Sequence, residues 1–184
     1  MKSKIAALSI IALILLSGLG IISVQAGPPG DTIVDVAVAV NSSGPYEGSF
    51  DTLIAAVTAT PSVASILVGN GQRTVFAPTD DAFEALATEL GLTVTELVDF
   101  LLANPAYLED VLLYHIAHGR LYAEDVLPKE RVNTLIRGKD GFLMQDGGVL
   151  TDNVGRTASI IVTDVEAANG IIHVIDAVVL PYLP

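Results

Sequence analysis

Thr74-Val75-Phe76-Ala77-Pro78-Thr79-Asp80-Asp81-Ala82-Phe83 holds the end of a strand and the beginning of a helix within a few residues. Thr74 to Ala77 is rich in β-branched and aromatic side chains, and Pro78 stops the strand because proline donates nothing to a sheet ladder. Asp81 and Glu84 have the spacing of a capping box, which predicts a helix with Phe83, Leu86, Ala87 and Leu90 as its apolar stripe up to Gly91. Asp80 and Asp81 stand where a helix dipole favours negative charge.

Upstream, Asp31-Thr32 offers an N-cap candidate for a helix carrying Ile33, Val36, Ala37 and Val40. Asn41 to Gly48 reads as a loop, and Phe50, Leu53, Ile54 and Val57 form a second amphipathic helix that ends before Pro61. Val63 to Val68 continues apolar, and Gly69-Asn70-Gly71 turns the chain. Downstream, Thr93-x-x-Glu96 caps a helix through Leu97, Leu101 and Ala103. Asn104-Pro105 starts another, expected to run to about Ile116 and stop before Gly119.

Strands follow. Phe142 to Met144 and Val149 to Thr151 flank the hairpin signal Asp146-Gly147-Gly148. Thr157 to Val165 is β-branched, and Asn169-Gly170 turns into Ile171 to Leu180, apolar on both faces and expected to be a central strand. Early helices and late strands predict an α+β domain rather than a doubly wound parallel sheet.

The 184 residues hold 21 acids against 9 Lys and Arg, so this is no binder of phosphate backbones. Cysteine is absent, which removes disulfides, thiol nucleophiles and zinc ribbons. Lys2, Lys4 and the apolar run Ile5 to Leu16 lead to Val24-Gln25-Ala26, a signal peptide over residues 1–26 with cleavage after Ala26. Ile5 to Val24 is also long enough to span a bilayer, so a retained anchor is the alternative, and the only membrane contact expected. A short spacer, residues 27–30, precedes one domain over 31–184. Loss of the two leader lysines takes the net charge from −12 to −14.

Leu108, Val111, Leu112 and His115 share one helix face with the imidazole in the middle of the apolar stripe, which suits a core histidine bonded to backbone or a side chain; a ligand or base is the other reading. His173 and Asp176 point to opposite faces of one strand, so they cannot form a direct relay, and each is expected to be buried with its own hydrogen-bond partner. His115-x-x-His118 with His173 and a carboxylate would make a metal site only if the four converged. No G-x-S-x-G elbow, S-x-x-K or Gly-rich phosphate loop occurs. Asn41-Ser42-Ser43 is a formal glycosylation sequon.

Three segments together resemble the fasciclin-like domain family. Thr74 to Phe83 is similar to its first box, with Thr74, Phe76, Pro78, Thr79, Asp80 and Phe83 as matching positions. Leu112-Leu113-Tyr114-His115 resembles its tyrosine–histidine motif, and Asn169-Gly170-Ile171-Ile172-His173-Val174-Ile175-Asp176 its second box. The resemblance implies a β-sandwich or wedge packed against several helices, with these positions mainly structural. It also implies a secreted, periplasmic or cell-surface adhesion module, non-catalytic and without a cofactor, whose partner is a surface or matrix protein or polysaccharide, or a second copy. Receptor binding in animal members maps to Tyr114 and His115 and to the segment at Thr163-Asp164-Val165-Glu166, making Tyr114, Asp164 and Val165 candidate contacts. The alternative is a periplasmic small-ligand or metal-binding protein using the histidines.

Overall fold

A computed structural model describes residues 30–138 and 141–183. The expected signal peptide and residues 27–29 of the spacer lie outside the described residues. Six helices come before most of the sheet: α1 (Ile33–Ser42), α2 (Asp51–Thr58), α3 (Pro61–Val68), α4 (Asp80–Glu89), α5 (Val94–Ala103) and α6 (Pro105–Tyr114), with a short α7 (Ala123–Val126) later. The strands are β1 (Arg73–Pro78), β2 (Ile116–His118), β3 (Arg131–Asn133), β4 (Phe142–Asp146), β5 (Val149–Thr151), β6 (Thr157–Ala167) and β7 (Gly170–Ile175). Among the described residues no single helix is long and apolar enough to cross a membrane.

Local chemistry explains most boundaries. Thr32 and Asp35 close a reciprocal capping box on α1, and Thr93 and Glu96 do the same on α5. The expected Asp81–Glu84 box is not formed. Thr79 is the N-cap of α4, its hydroxyl accepting from the Ala82 amide, because the helix starts earlier than the carboxylate spacing suggests. Pro61 is not a terminator only: it occupies the first turn of α3, where a missing N–H costs nothing. Asn104 does not cap α6 with its side chain; its amide donates to the Phe100 carbonyl at the end of α5. Gly147 and Gly148, both at positive φ, make the β4–β5 turn.

The sheet order is β2-β1-β7-β6-β5-β4-β3. β1 and β7 run parallel, and every other pair is antiparallel. The two outer strands approach each other: Ala117 bridges Thr134, and the Leu135 amide donates to the Ile116 carbonyl at 2.7 Å. Where a β-sandwich or wedge against several helices was expected, the helices are present and the sandwich is not: the described strands form one mixed sheet rolled nearly into a barrel. Rolling is favoured by β6, whose bulges bend it enough to pair with β7 at one end and β5 at the other.

β1 and β7 divide the core. Val75, Ala77, Ile172 and Val174 join the helix-side cluster with Leu53, Val63, Phe83, Leu97, Leu108 and Leu112. Phe76 and Ile175 join Tyr114, Val126, Val132, Leu143 and Leu150 on the barrel side. Strand alternation alone produces this split, since both faces of both strands are covered. The regular strand ends at Ile175, shorter than the expected run to Leu180, although Val178, Val179 and Leu180 stay buried.

Candidate functional site

The first and second boxes are parallel neighbours, with Arg73 opposite Gly170, Phe76 opposite His173 and Pro78 opposite Ile175. A Cβ on Gly170 would collide with the Arg73 carbonyl oxygen and come within 2.7 Å of Ile33 Cδ1, so close approach of the chains demands glycine. Asn169 is fully buried and joins three segments. Its Oδ1 accepts from the Ile33 amide at 2.8 Å, and its Nδ2 donates to the Leu67 and Gly69 carbonyls at 2.6 and 2.8 Å. Thr74, also enclosed, donates to the Gly119 carbonyl and accepts from the Leu121 amide.

The histidines are used internally. His115 is the buried C-cap of α6; Nδ1 donates to the Val111 carbonyl at 2.7 Å and Nε2 accepts from the Val179 amide at 3.3 Å. Burial pushes its pKa down from 6.5 to about 4, against the carbonyl bond and the Asp152 charge. His173 stacks on Phe76; its Nε2 donates to the Leu121 carbonyl at 2.9 Å, and Nδ1 accepts from the Asp164 amide at 3.3 Å. Desolvation lowers its pKa as well. Those roles fix opposite tautomers in the two rings. His118 is exposed at the end of β2. Among the described residues no group of three or more His, Cys, Asp or Glu is placed to hold a metal ion.

Tyr114 is fully enclosed, and its hydroxyl donates to the Phe142 carbonyl at 2.8 Å, tying α6 to β4. As a direct partner contact it is corrected: turning away from the helix-side stripe carried it into the barrel core, not to solvent. Asp164 lies at a β6 bulge with φ 61°, half-buried, its Oδ1 accepting from the Ala123 amide at 2.8 Å. Val165 pairs with Ile172 and packs on the helix-side core. Asp176 is exposed rather than buried, with Oδ1 accepting from the Ser159 amide at 2.6 Å.

The carboxyl ends of β1 and β7 open on a surface hollow of about 370 Å³. Thr79, Asp80 and Asp81 enter it from the first box, Asp176 from the second, and Tyr46 and Ile161 from neighbouring segments. Asp80 is held rigid because its two oxygens accept from the Asp51 and Thr52 amides, capping α2 from a distance. Ile161 is half-exposed there, and Tyr46 packs its ring 6.2 Å from Phe50. Asp80 and Asp176, both fixed by backbone amides, thus lie beside the exposed apolar surface of Ile161. Asp80 and Asp176 are motif positions and Asp81 was expected only at the start of a helix; Tyr46 and Ile161 carried no sequence signal, because their proximity depends on the loop before α2 and the bulge in β6. Sequence reasoning also missed Asp152, a buried carboxylate that accepts from the Val154, Arg156 and Leu180 amides. The turn signal Asp152-Asn153-Val154-Gly155 was the available clue.

The fold and its signature residues define an α+β domain built around a parallel strand pair. Residues 48–181 match the family profile described as the Fasciclin domain, and the chain belongs to that family. It is 38% identical over 161 residues to protein sll1483 of Synechocystis sp., covering 88% of this chain and 79% of that protein. It is 34% identical over 138 residues to transforming growth factor-beta-induced protein ig-h3 of Sus scrofa, covering 73% of this chain but 18% of that protein. In structure it resembles a FAS1 domain pair from the insect cell adhesion molecule fasciclin I, with a TM-score of 0.59 and 19% identity, over 83% of this chain and 51% of that one. That likeness concerns the fold.

Proposed function

We propose that the chain is an exported, non-catalytic adhesion module that binds a cell-surface or matrix partner through the hollow at the ends of β1 and β7. Fasciclin domains occur in cell adhesion proteins, fasciclin I among them. The observation that carries the reading is the division of labour within the boxes. Their histidines, Asn169 and Thr74 are spent on internal hydrogen bonds, whereas Asp80, Asp81 and Asp176 meet at the surface beside Tyr46 and Ile161. A histidine-based ligand or metal site has less support, because both ring nitrogens of His115 and of His173 already have protein partners. Localisation follows the leader: secreted, periplasmic or held at the surface.

The test is capture of envelope components by the immobilised domain. Ile161→Asp adds charge to the apolar side of the hollow and leaves the core alone. It is expected to reduce capture about ten-fold, a change of ~1.4 kcal/mol, with an unchanged melting temperature. Undiminished capture by the folded variant contradicts the assignment.

A further inference from the structure

A second surface, sharing no lining residue with the first, lies where the end of the chain crosses α5 and α6. Phe100, Asn104, Ala106, Tyr107 and Tyr182 line an open hollow of about 440 Å³. Phe100 and Tyr107 meet at 65° with centroids 6.1 Å apart, and Tyr107 and Tyr182 at 63° and 5.3 Å. Rings so inclined form a corner, not the flat shelf on which a sugar ring stacks. The corner is held in place: Tyr107 donates to the Tyr182 carbonyl at 3.0 Å, and Tyr182 to Asp110 Oδ2 at 2.6 Å. Tyr182 is nevertheless 45% exposed.

Charge says what would fill it. Residues 31–110 contain twelve acids and a single cation, Arg73, so the helical half carries most of the negative charge of the domain. Arg156, whose charge reaches Tyr107, is engaged by Glu89 at 3.2 Å. Asp110, bonded to the Tyr182 hydroxyl, puts a carboxylate at the corner; ring faces beside it attract a cation, and the acids of residues 31–110 draw basic partners to the domain. We infer that the Phe100–Tyr107–Tyr182 corner receives an arginine or lysine side chain from a basic segment of a partner protein. With the first hollow occupied, such a contact would give the domain a second point of attachment.

The experiment titrates the full chain with the acetylated peptide Gly-Arg-Gly-Arg-Gly, following tyrosine fluorescence and the arginine side-chain proton shifts. Binding is expected to move the arginine methylene protons upfield, a ring-current effect that charge alone does not produce. Tyr182→Phe keeps the ring and is expected to bind within about two-fold of wild type, while Tyr182→Ala and Phe100→Leu bind roughly three- to ten-fold more weakly. Equal affinity of folded Tyr182→Ala, equal affinity for the Gln-for-Arg peptide, or binding of a neutral oligosaccharide at the corner instead would overturn the inference. Retained envelope capture by Tyr182→Ala, with these peptide results, would leave the first hollow's role standing.

Discussion

Phe76 and His173 stand side by side on adjacent parallel strands, their rings 5.6 Å apart and 26° from coplanar. This pair locks the first box to the second on the barrel side of the core. His173 then reaches outward in two directions, to the Leu121 carbonyl and the Asp164 amide.

His173→Phe keeps the stack but leaves those two groups without the ring nitrogens. A buried unpaired polar group costs ~1–3 kcal/mol, so the melting temperature should fall by roughly 2–10 °C. Faster hydrogen exchange at the Asp164 amide checks that the loss arises there.

His115→Ala is expected to lower the melting temperature by several degrees, since it removes a buried ring and strands the Val179 amide. Acid should act through the same residue. The folded pKa of about 4 lies below the unfolded value near 6.5, so the unfolded chain binds the proton first. The neutral ring costs nothing above 6.5; stability falls as pH drops from 6.5 to about 4, by up to roughly 3 kcal/mol, and this contribution levels off below. His173, shifted in the same direction, adds to the slope. Denaturant melts from pH 4 to 7 should show a shallower dependence in a folded His115→Gln variant.

Gly170→Ala should be far more damaging than its single methyl suggests, because the Arg73 carbonyl lies where the new carbon must go. Loss of more than about 3 kcal/mol is expected, read as a collapse of the urea midpoint. Asn169→Ala should approach it, having three bonds to lose.

Asp164 adopts φ 61° while capping the Ala123 amide. Asparagine tolerates that backbone and keeps the acceptor, so Asp164→Asn should melt near wild type, whereas Asp164→Val should lose about 2 kcal/mol or more. Thermal melts of the pair separate backbone strain from charge.

Much of this fold was legible in local pattern. The cap at Thr93, the entry at Pro105 and the Gly147-Gly148 hairpin are decided by neighbours in sequence, and they appear where the chain places them. The α4 cap was misread because Thr79 and Asp81 are both acceptable caps, and only the strand register selects the first. Closure of the sheet through Ala117 and Thr134 was not legible, since it depends on bulges in β6, a strand that touches neither residue's element. The internal role of His115 could be read from its stripe; the hollow could not, because Tyr46 and Ile161 come from distant segments.

The central claim is that the signature residues build the scaffold and that contact is made at the hollow. Its most direct measurement pairs melting temperature with envelope capture for His115→Ala and Ile161→Asp. His115→Ala should melt lower and recover capture when assayed well below its melting point, while Ile161→Asp should melt like wild type and lose capture. A His115→Ala domain that melts like wild type yet no longer binds would contradict the account.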